Sequence, residues 1–474
     1  MDKLKFYIDG AWVEPAGAAT AGVTNPATEE TVGRISLGSA ADVDRAARAA
    51  RRAFASYSAT SVEQRLGWLR GIIDGFRARL PELARTMTLE MGAPITFSTE
   101  RQATVALFHF EEAARVLAGF PFEERMGPGI VRHEPIGVCG LITPWNWPLN
   151  QVASKVAPAM STGCTVVLKP SEIAPLSAMI LAEIIHDSGL PAGVFNLVNG
   201  DGPTVGEALA SHPEIDLVSF TGSTGAGIRV ATLAAPTVKR VAQELGGKSA
   251  NIILQDADIR ASVMAGVHAC YTNAGQNCQS PTRMLVHVSQ REAAFDAARA
   301  AVATIRLGDP MQPETTLGPL VSQGQFDKVQ KLIQSGIDEG ATLVAGGLGR
   351  PAEINRGYYV HPTVFGDVTR QMTIAREEIF GPVLSILAYD TEDEAIDIAN
   401  DTPFGLAGFI QSGDPDHALK LAKRIRAGRV YLNGAPFDRS LPFGGYKQSG
   451  NGREFGIYGF REYLEVKAVL GYPG

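Results

Sequence analysis

From Ile136 to about Asn433 the chain alternates short β-rich runs with stretches of helical apolar spacing, a pattern that calls for parallel strands joined by helical crossovers. The runs Val138 to Ile142, Thr165 to Leu168, Val194 to Val198 and Leu217 to Phe220 come first. After Gly246 a second alternating unit opens with Asn251 to Leu254, a helix near Ala261 to Tyr271 and a strand from Arg283 to Val288. The expected fold class is therefore α/β, with a Rossmann-like doubly wound sheet followed by a second α/β unit. Ligands of such sheets sit in the crevice outside the carboxyl ends of the strands, where Lys169 to Glu172 and Thr221 to Gly225 fall. The common G-x-G-x-x-G run is absent here. Gly222-Ser223-Thr224-Gly225-Ala226-Gly227 stands instead between a strand and a helix, so that backbone N–H groups and Ser223 face a pyrophosphate. Read alone, the same run is more often a plain turn.

The first hundred residues carry packing helices and no chemistry of their own. Asp42 is placed to cap a helix with apolar Val43, Ala46, Ala47, Ala50 and Phe54, and Ser61 with Gln64 forms a capping box before Leu66, Leu69, Ile72, Ile73 and Phe76. A third helix is expected from about Thr99 to Leu117, stopped by Gly119. Phe120 to Glu134, with a Pro128-Gly129 turn, and Tyr463 to Leu470 alternate apolar and polar residues, as exposed strands that need a partner edge do.

Composition excludes several roles. A net charge of −7, from 43 Lys and Arg against 50 Asp and Glu, offers no general attraction to nucleic acid or anionic lipid. Four cysteines in 474 residues, without C-x-x-C spacing, are too sparse for a disulfide scaffold and fit a reducing cytoplasm. The eight histidines lack metal-ligand spacing, so no metal is expected. No apolar run has the length of a membrane span, and Met1 to Trp12 lacks the apolar core of a signal peptide.

One stretch points to chemistry: Gly275-Gln276-Asn277-Cys278-Gln279-Ser280-Pro281-Thr282-Arg283 sets a cysteine among small and polar residues, as a thiol presented on a tight loop would be. A lone cysteine is ordinarily a packed one. Upstream, however, Glu244-Leu245-Gly246-Gly247-Lys248 supplies a candidate base and a glycine pair that permits close backbone approach. Five further motifs follow in order: Pro144-Trp145-Asn146-Trp147-Pro148, Lys169-Pro170-Ser171-Glu172, Phe220-Thr221-Gly222-Ser223-Thr224-Gly225, Glu378-Ile379-Phe380-Gly381-Pro382 and Pro442-Phe443-Gly444-Gly445. Together these runs resemble the aldehyde dehydrogenase superfamily over nearly the whole chain.

The resemblance implies an NAD-dependent oxidation of an aldehyde to its acid, with NADP as a weaker alternative. Cys278 would be the nucleophile, Glu244 the base for the hydrolytic water, Asn146 an oxyanion donor and Lys155 a helper of that water or a proton carrier. Trp145, Lys169, Ser171, Glu172, Gly222, Ser223, Gly246, Glu378 and Phe380 would hold the cofactor, and Trp147, Gln151, Asn277 and Gln279 would line the aldehyde channel. Residues 1–119 and 136–246 would form the cofactor-binding domain, 247–450 the catalytic domain, and 120–135 with 451–474 an oligomerisation arm of a homodimer or homotetramer. Many relatives carry a glutamate three residues after their Gly-Arg-Glu run; here that position is Ile457, which would remove one proton route. An acylating enzyme that passes the thioester to coenzyme A generally lacks the glutamate found at Glu244. A cofactor-free thiol esterase would not require NAD, and a purely structural role would not require Cys278, Glu244 and Asn146 together.

Overall fold

The computed structural model describes residues 1–471, so the last three residues of the expected arm lie outside the description. Its first sheet has eight strands, in the order Gly450–Asn451, Arg240–Glu244, Leu217–Thr221, Val138–Ile142, Thr165–Lys169, Phe195–Leu197, Phe6–Ile8 and Ala11–Val13. The five central strands, from Arg240–Glu244 to Phe195–Leu197, are parallel, and the others pair antiparallel at the two edges. Register aligns Ile142 with Lys169 and Thr221 with Glu244, so Lys169, Thr221 and Glu244 emerge along one rim of the sheet. That rim is the carboxyl edge, where an open α/β sheet presents its ligand crevice.

The second sheet orders Thr342–Ala345, Thr363–Gly366, Val383–Tyr389, Arg283–His287, Ala250–Ile253, Ala407–Gln411 and Arg429–Leu432. Only its first pair is antiparallel. Glu123–Met126, Gly129–Pro135 and Leu464–Leu470 form a separate three-stranded antiparallel sheet. Met126, Val466 and Leu470 stand exposed on it.

Several local expectations are revised. The N-terminal region holds four strands besides its helices: two extend the first sheet, and Thr20–Asn25 pairs with Glu30–Ser36. These runs are short and interrupted by Gly and Pro, so no periodicity marks them. The first helix, Ala40–Tyr57, is capped by Ser39; Asp42 closes the box, its carboxylate accepting from the Ser39 backbone N–H at 2.9 Å. Ser61 and Gln64 form the expected box at the start of Val62–Ala78. The third helix begins later than expected, at Thr104, because Ser98–Ala103 winds as a π-helical turn.

The helix Pro148–Thr162 is buried over its whole length, which carries Asn150, Gln151, Ser154 and Lys155 into the interior. A helix enclosed on all sides has no face on which to shed polar groups, so one buried inside is costly unless it finds a partner. His109 meets that demand for Asn150 at 2.9 Å. Around this helix Phe76 and Phe110 pack at 6.3 Å between ring centroids, and truncating either ring would cost about 3–5 kcal/mol.

Glu90 shows how such demands couple to pH. Fully buried, its carboxylate accepts from the backbone N–H groups of Leu176 at 2.6 Å and Ser177 at 3.1 Å, and from the Ser177 hydroxyl at 2.5 Å, closing the start of the helix Leu176–Asp187. Burial outweighs these donors and pushes its pKa up to about 7 from the usual 4.5. Between those values the folded state binds the extra proton, so stability falls as pH rises through the window, by roughly 3 kcal/mol in all if no other group compensates. Glu90→Gln is expected to flatten this slope between about pH 4.5 and 7 in denaturant titrations; an unchanged slope would refute the assignment.

Candidate functional site

The carboxyl rim of the first sheet faces the second across a cleft of about 200 Å³, lined by Trp145, Asn146, Gln151, Thr221, Gly222, Ser223, Gly246, Cys278, Glu378 and Phe380, among others. Nine predicted site residues therefore meet in one place. Lys155 and Glu244 lie behind the cleft, Lys169 ends the strand Thr165–Lys169, and Ser171 and Glu172 follow just beyond it. Trp147, Asn277 and Gln279 flank cleft residues in the chain without lining the cleft themselves.

The nucleophile loop is built from an unusual backbone. The helix Ile259–Tyr271 ends, and Asn273, Ala274 and Gly275 then take φ values of 57°, 56° and 71° in succession. For non-glycine residues this region is strained, and such strain persists only where the surroundings hold it. The Asn273 side-chain amide supplies part of that hold, donating to the carbonyls of Asn146 at 2.8 Å and Gln276 at 3.2 Å. The Gln102 side chain, donating to Asn273 Oδ1 at 3.1 Å, supplies more. Gly275 has no alternative residue: a Cβ there would lie 2.1 Å from the Gly381 carbonyl oxygen.

Cys278 is half-buried, and its side chain packs against the cluster of Leu406, Phe443 and Phe455. The thiol is packed as well as presented, which corrects the expectation of a freely offered one; the aromatic cover comes from residues far downstream in the chain. Burial pushes the thiol well above its usual range, and the Glu378 and Glu244 carboxylates add to the effect. Asn146 Nδ2 donates to the Gln276 carbonyl at 3.0 Å, which turns its amide toward the Cys278 loop and leaves its second N–H for another acceptor.

Glu244 is 5% exposed, and neither carboxylate oxygen has a hydrogen-bond partner. Burial raises its pKa well above the usual carboxylate range, and Glu454 raises it further, against Lys155. Lys155 Nζ is fully buried and donates to Glu454 Oε1; Ser154 Oγ donates to Glu454 Oε2 at 3.3 Å. Glu454 therefore holds the carboxylate next to the base, and the sequence reading, which looked three residues further to Ile457, missed it. Ile457 packs on the hydrophobic core, and its apolar side chain leaves the Glu454 carboxylate in place.

The remaining predicted residues divide by what they touch. Lys169 Nζ is enclosed by the carbonyls of Pro170 at 2.9 Å and Gly200 at 2.7 Å and by Glu172 Oε2 at 3.1 Å; burial lowers its pKa. Ser171 Oγ accepts from Ile173 N at 3.2 Å, shaping the turn that aims Glu172. Ser223 caps the helix Thr224–Ala234, its Oγ accepting from Ala226 N at 3.3 Å. Glu378 Oε1 accepts from Gly247 N at 2.9 Å, while a Cβ on Gly246 would lie 2.6 Å from Glu378 Oε2. Burial raises the Glu378 pKa. Phe380, at φ 62°, meets the edge of Trp145 with centroids 5.4 Å apart.

On the other side of Cys278, Trp147 packs edge-on against Phe97 at 5.3 Å, Gln151 Oε1 is buried without a partner, and Asn277 accepts from Ser280 N at 3.0 Å through its carbonyl. Gln279 Oε1 accepts from the Tyr431 hydroxyl at 3.0 Å. Arg429, which no motif marks, donates to that hydroxyl at 3.3 Å, to the carbonyls of Pro442 at 2.6 Å and Asp438 at 3.0 Å, and lies over the Phe437, Phe443 and Phe455 rings at 4.7–5.6 Å. Such a side chain can be found only once distant loops are in contact.

The site is suited to a dinucleotide by its donor set. The helix N-terminus at Ser223, with Gly222 before it, suits a pyrophosphate, and the buried Thr221 hydroxyl on the cleft wall lacks a partner. The carboxylates of Glu172 and Glu378 suit the hydroxyls of two riboses. Among the described residues no three His, Cys, Asp or Glu side chains cluster as a metal site would, and no helix is long and apolar enough to cross a membrane.

The sequence profile of the aldehyde dehydrogenase family matches residues 12–469. The chain is 57% identical to a 3-succinoylsemialdehyde-pyridine dehydrogenase from a Pseudomonas species, over 100% of this chain and 99% of that protein. It superposes with a TM-score of 0.98, at 53% identity, on a cysteine-to-alanine mutant of aldehyde dehydrogenase C from Pseudomonas syringae in complex with NAD⁺ and octanal, covering 99% of this chain and 97% of that one. The Mycobacterium tuberculosis aldehyde dehydrogenase complexed with NAD⁺ gives a TM-score of 0.97 at 40% identity, covering 100% of both chains.

Exposure separates the four thiols, since Cys139, Cys164 and Cys270 are fully buried. Iodoacetamide followed by peptide mapping is expected to label Cys278 first, and its rate should keep rising with pH beyond the ~8.5 of a free thiol. Labelling of another cysteine ahead of Cys278 would contradict this geometry.

Proposed function

The chain belongs to the aldehyde dehydrogenase family, and on that premise we propose that Cys278 is the nucleophile of an NAD-dependent oxidation of an aldehyde to its carboxylic acid, with Glu244 as the hydrolytic base. One contact carries the reading: a Cβ on Gly247 would lie 2.4 Å from the Cys278 carbonyl oxygen, so the strand end bearing Glu244 and the loop bearing Cys278 touch through bare backbone.

Cys278, its thiol proton passing to water in the cleft, bonds through Sγ to the aldehyde carbon, and the carbonyl oxygen, now an anion, accepts from the free N–H of Asn146 and the backbone N–H of Cys278. A preorganised donor of this kind contributes about 2.7–4 kcal/mol to the barrier. NAD⁺, when bound, supplies the hydride acceptor that turns this adduct into a thioester on Cys278. Glu172 and Glu378 would hold the ribose hydroxyls, Ser223 and Gly222 the pyrophosphate, and Trp145 with Phe380 the nicotinamide. Glu244 then takes a proton from a water whose oxygen attacks the thioester carbon. The S–C bond breaks and the acid leaves.

The substrate body is apolar. Phe437, Phe443 and Phe455 cluster with Cys278, and the relatives include one named for 3-succinoylsemialdehyde-pyridine and one bound to octanal. Four free thiols suit a cytoplasmic enzyme. The exposed apolar residues of the three-stranded sheet suit a homodimer or homotetramer assembled through 120–135 and the C-terminal strand, with 1–119 and 136–246 binding cofactor and 247–450 bearing the nucleophile.

Two measurements test these roles. Glu244→Gln should retain a burst of NADH in rapid mixing and then stall, while wild-type turnover rises with pH as the elevated Glu244 pKa is passed and the carboxylate becomes able to accept a proton. Full turnover in that variant, with Cys278→Ala also active, would dismiss the mechanism. For the cofactor, Glu172 opposes a 2′-phosphate, and a preference for NAD⁺ over NADP⁺ of about ten- to a hundredfold in kcat/KM is expected, shrinking in Glu172→Gln. Equal efficiency with both cofactors in wild type would exclude it.

A further inference from the structure

Arg439 is a half-buried cation without a counter-ion. It stands on the loop that follows the strand Arg429–Leu432, its guanidinium lies over the Phe108 ring at 5.3 Å, and among the described residues its side chain has no hydrogen-bond or ion-pair partner. The charge acting on it is a second cation, the exposed Arg101 of the turn Ser98–Ala103, whose side chain is unpaired as well. Burial lowers the Arg439 pKa, and Arg101 lowers it further. The acids next to these arginines in the chain give no relief. Asp438 is committed to its own turn, accepting from Ser440 N at 2.8 Å and from Ser440 Oγ at 2.7 Å, and Glu100 forms no ion pair with either arginine. Arg429, earlier in the same segment, spends its guanidinium on the carbonyls of Pro442 at 2.6 Å and Asp438 at 3.0 Å. The loop thus satisfies an arginine that serves its shape and leaves Arg439 unspent.

That loop also covers the thiol. Phe437, two residues before Arg439, packs on the cluster of Leu406, Phe443 and Phe455 that holds Cys278. Rings continue from this cluster to the guanidinium: His109 lies 4.7 Å from Phe455 and 6.3 Å from Phe108 between centroids, and Arg439 caps Phe108. His109 adds an uncharged ring, burial having pushed its pKa down to about 4. We propose that Arg439, with Arg101 beside it, is a specificity-determining carboxylate site at the outer end of the aldehyde approach, so that the preferred substrates are ω-oxo acids with an aldehyde at one end, an apolar body and a carboxylate at the other. The inference deepens the oxidation proposed above and rests on Cys278 as the nucleophile, which fixes the end at which the aldehyde carbon sits. The planar guanidinium fork matches a carboxylate with two parallel N–H donors, and the arriving negative charge relieves the repulsion between the two arginines. A neutral aldehyde meets the rings alone and leaves that repulsion in place.

The full-length enzyme, assayed with NAD⁺ on 8-oxooctanoate against octanal and on 10-oxodecanoate against decanal, tests this. The carboxylated member of at least one pair should exceed its neutral partner roughly tenfold in kcat/KM, through KM, and the advantage should shrink as sodium chloride is raised. Arg439→Gln should remove the advantage while kcat and KM for octanal stay within about twofold of wild type. Arg439→Lys, which keeps the charge and loses the fork, should retain part of it, and Arg101→Gln should weaken it less than Arg439→Gln does. Equal efficiency on both members of each pair in wild type, or an advantage that survives in Arg439→Gln, overturns the site. So does an Arg439→Gln protein that loses octanal oxidation and elutes as a smaller species in size-exclusion chromatography, because the guanidinium then serves a subunit contact. Octanal turnover without any carboxylate preference removes this inference and leaves the oxidation standing, whereas no NADH from any of these aldehydes removes both.

Discussion

The site depends on two sheets meeting through a backbone without side chains. Where Gly246 and Gly247 pass beneath the Cys278 loop, any Cβ would displace either the Glu378 carboxylate or the Cys278 carbonyl. Because of that contact a carboxylate at the end of one sheet and a thiol presented by the other share a single desolvated space. The same desolvation raises both pKa values. A site of this kind stores its reactivity in burial, and bound ligands and solvent entering the cleft alter the environment that sets it.

The chain's α/β character was legible because parallel strands and their crossover helices have periods that differ, and because the central strands are continuous apolar runs. The edges were not. Phe6–Ile8, Ala11–Val13 and Gly450–Asn451 are two or three residues long, too short to display any period, and they are strands only because a neighbour offers a hydrogen-bonding rim. Likewise, Asp42 looked like a cap by residue type, whereas the cap is the serine three positions earlier, with which it exchanges bonds.

Motif reading found the residues whose neighbours are local: Cys278 in its turn, Ser223 at its helix start, Gly246 beside its strand. It missed residues whose role is made by distance. Glu454 becomes significant only when the buried helix Pro148–Thr162 brings Lys155 against it, and Arg429 only when the loops through Phe437 and Phe443 fold over its guanidinium. Asn273 is similar, since its amide bridges two segments more than a hundred residues apart in the chain. Each is a polar group whose partner the local pattern cannot name.

The strand Gly450–Asn451 lies beside Gln243 and Glu244, and it comes from a segment much later in the chain. During synthesis the first sheet can assemble its parallel centre early, as the N-terminal parts of a chain generally do. Its outer flank beside the base nevertheless stays open until the segment from Ser449 to Asn451 docks. Leu245 N then donates to the Ser449 carbonyl, and the Ser449 hydroxyl donates to the Gly246 carbonyl, closing that flank. A chain stalled short of this point can hold a folded nucleotide-binding sheet while its carboxylate remains wet and ordinary. Docking of this late segment is thus also the step that makes the acid at position 244 unusual.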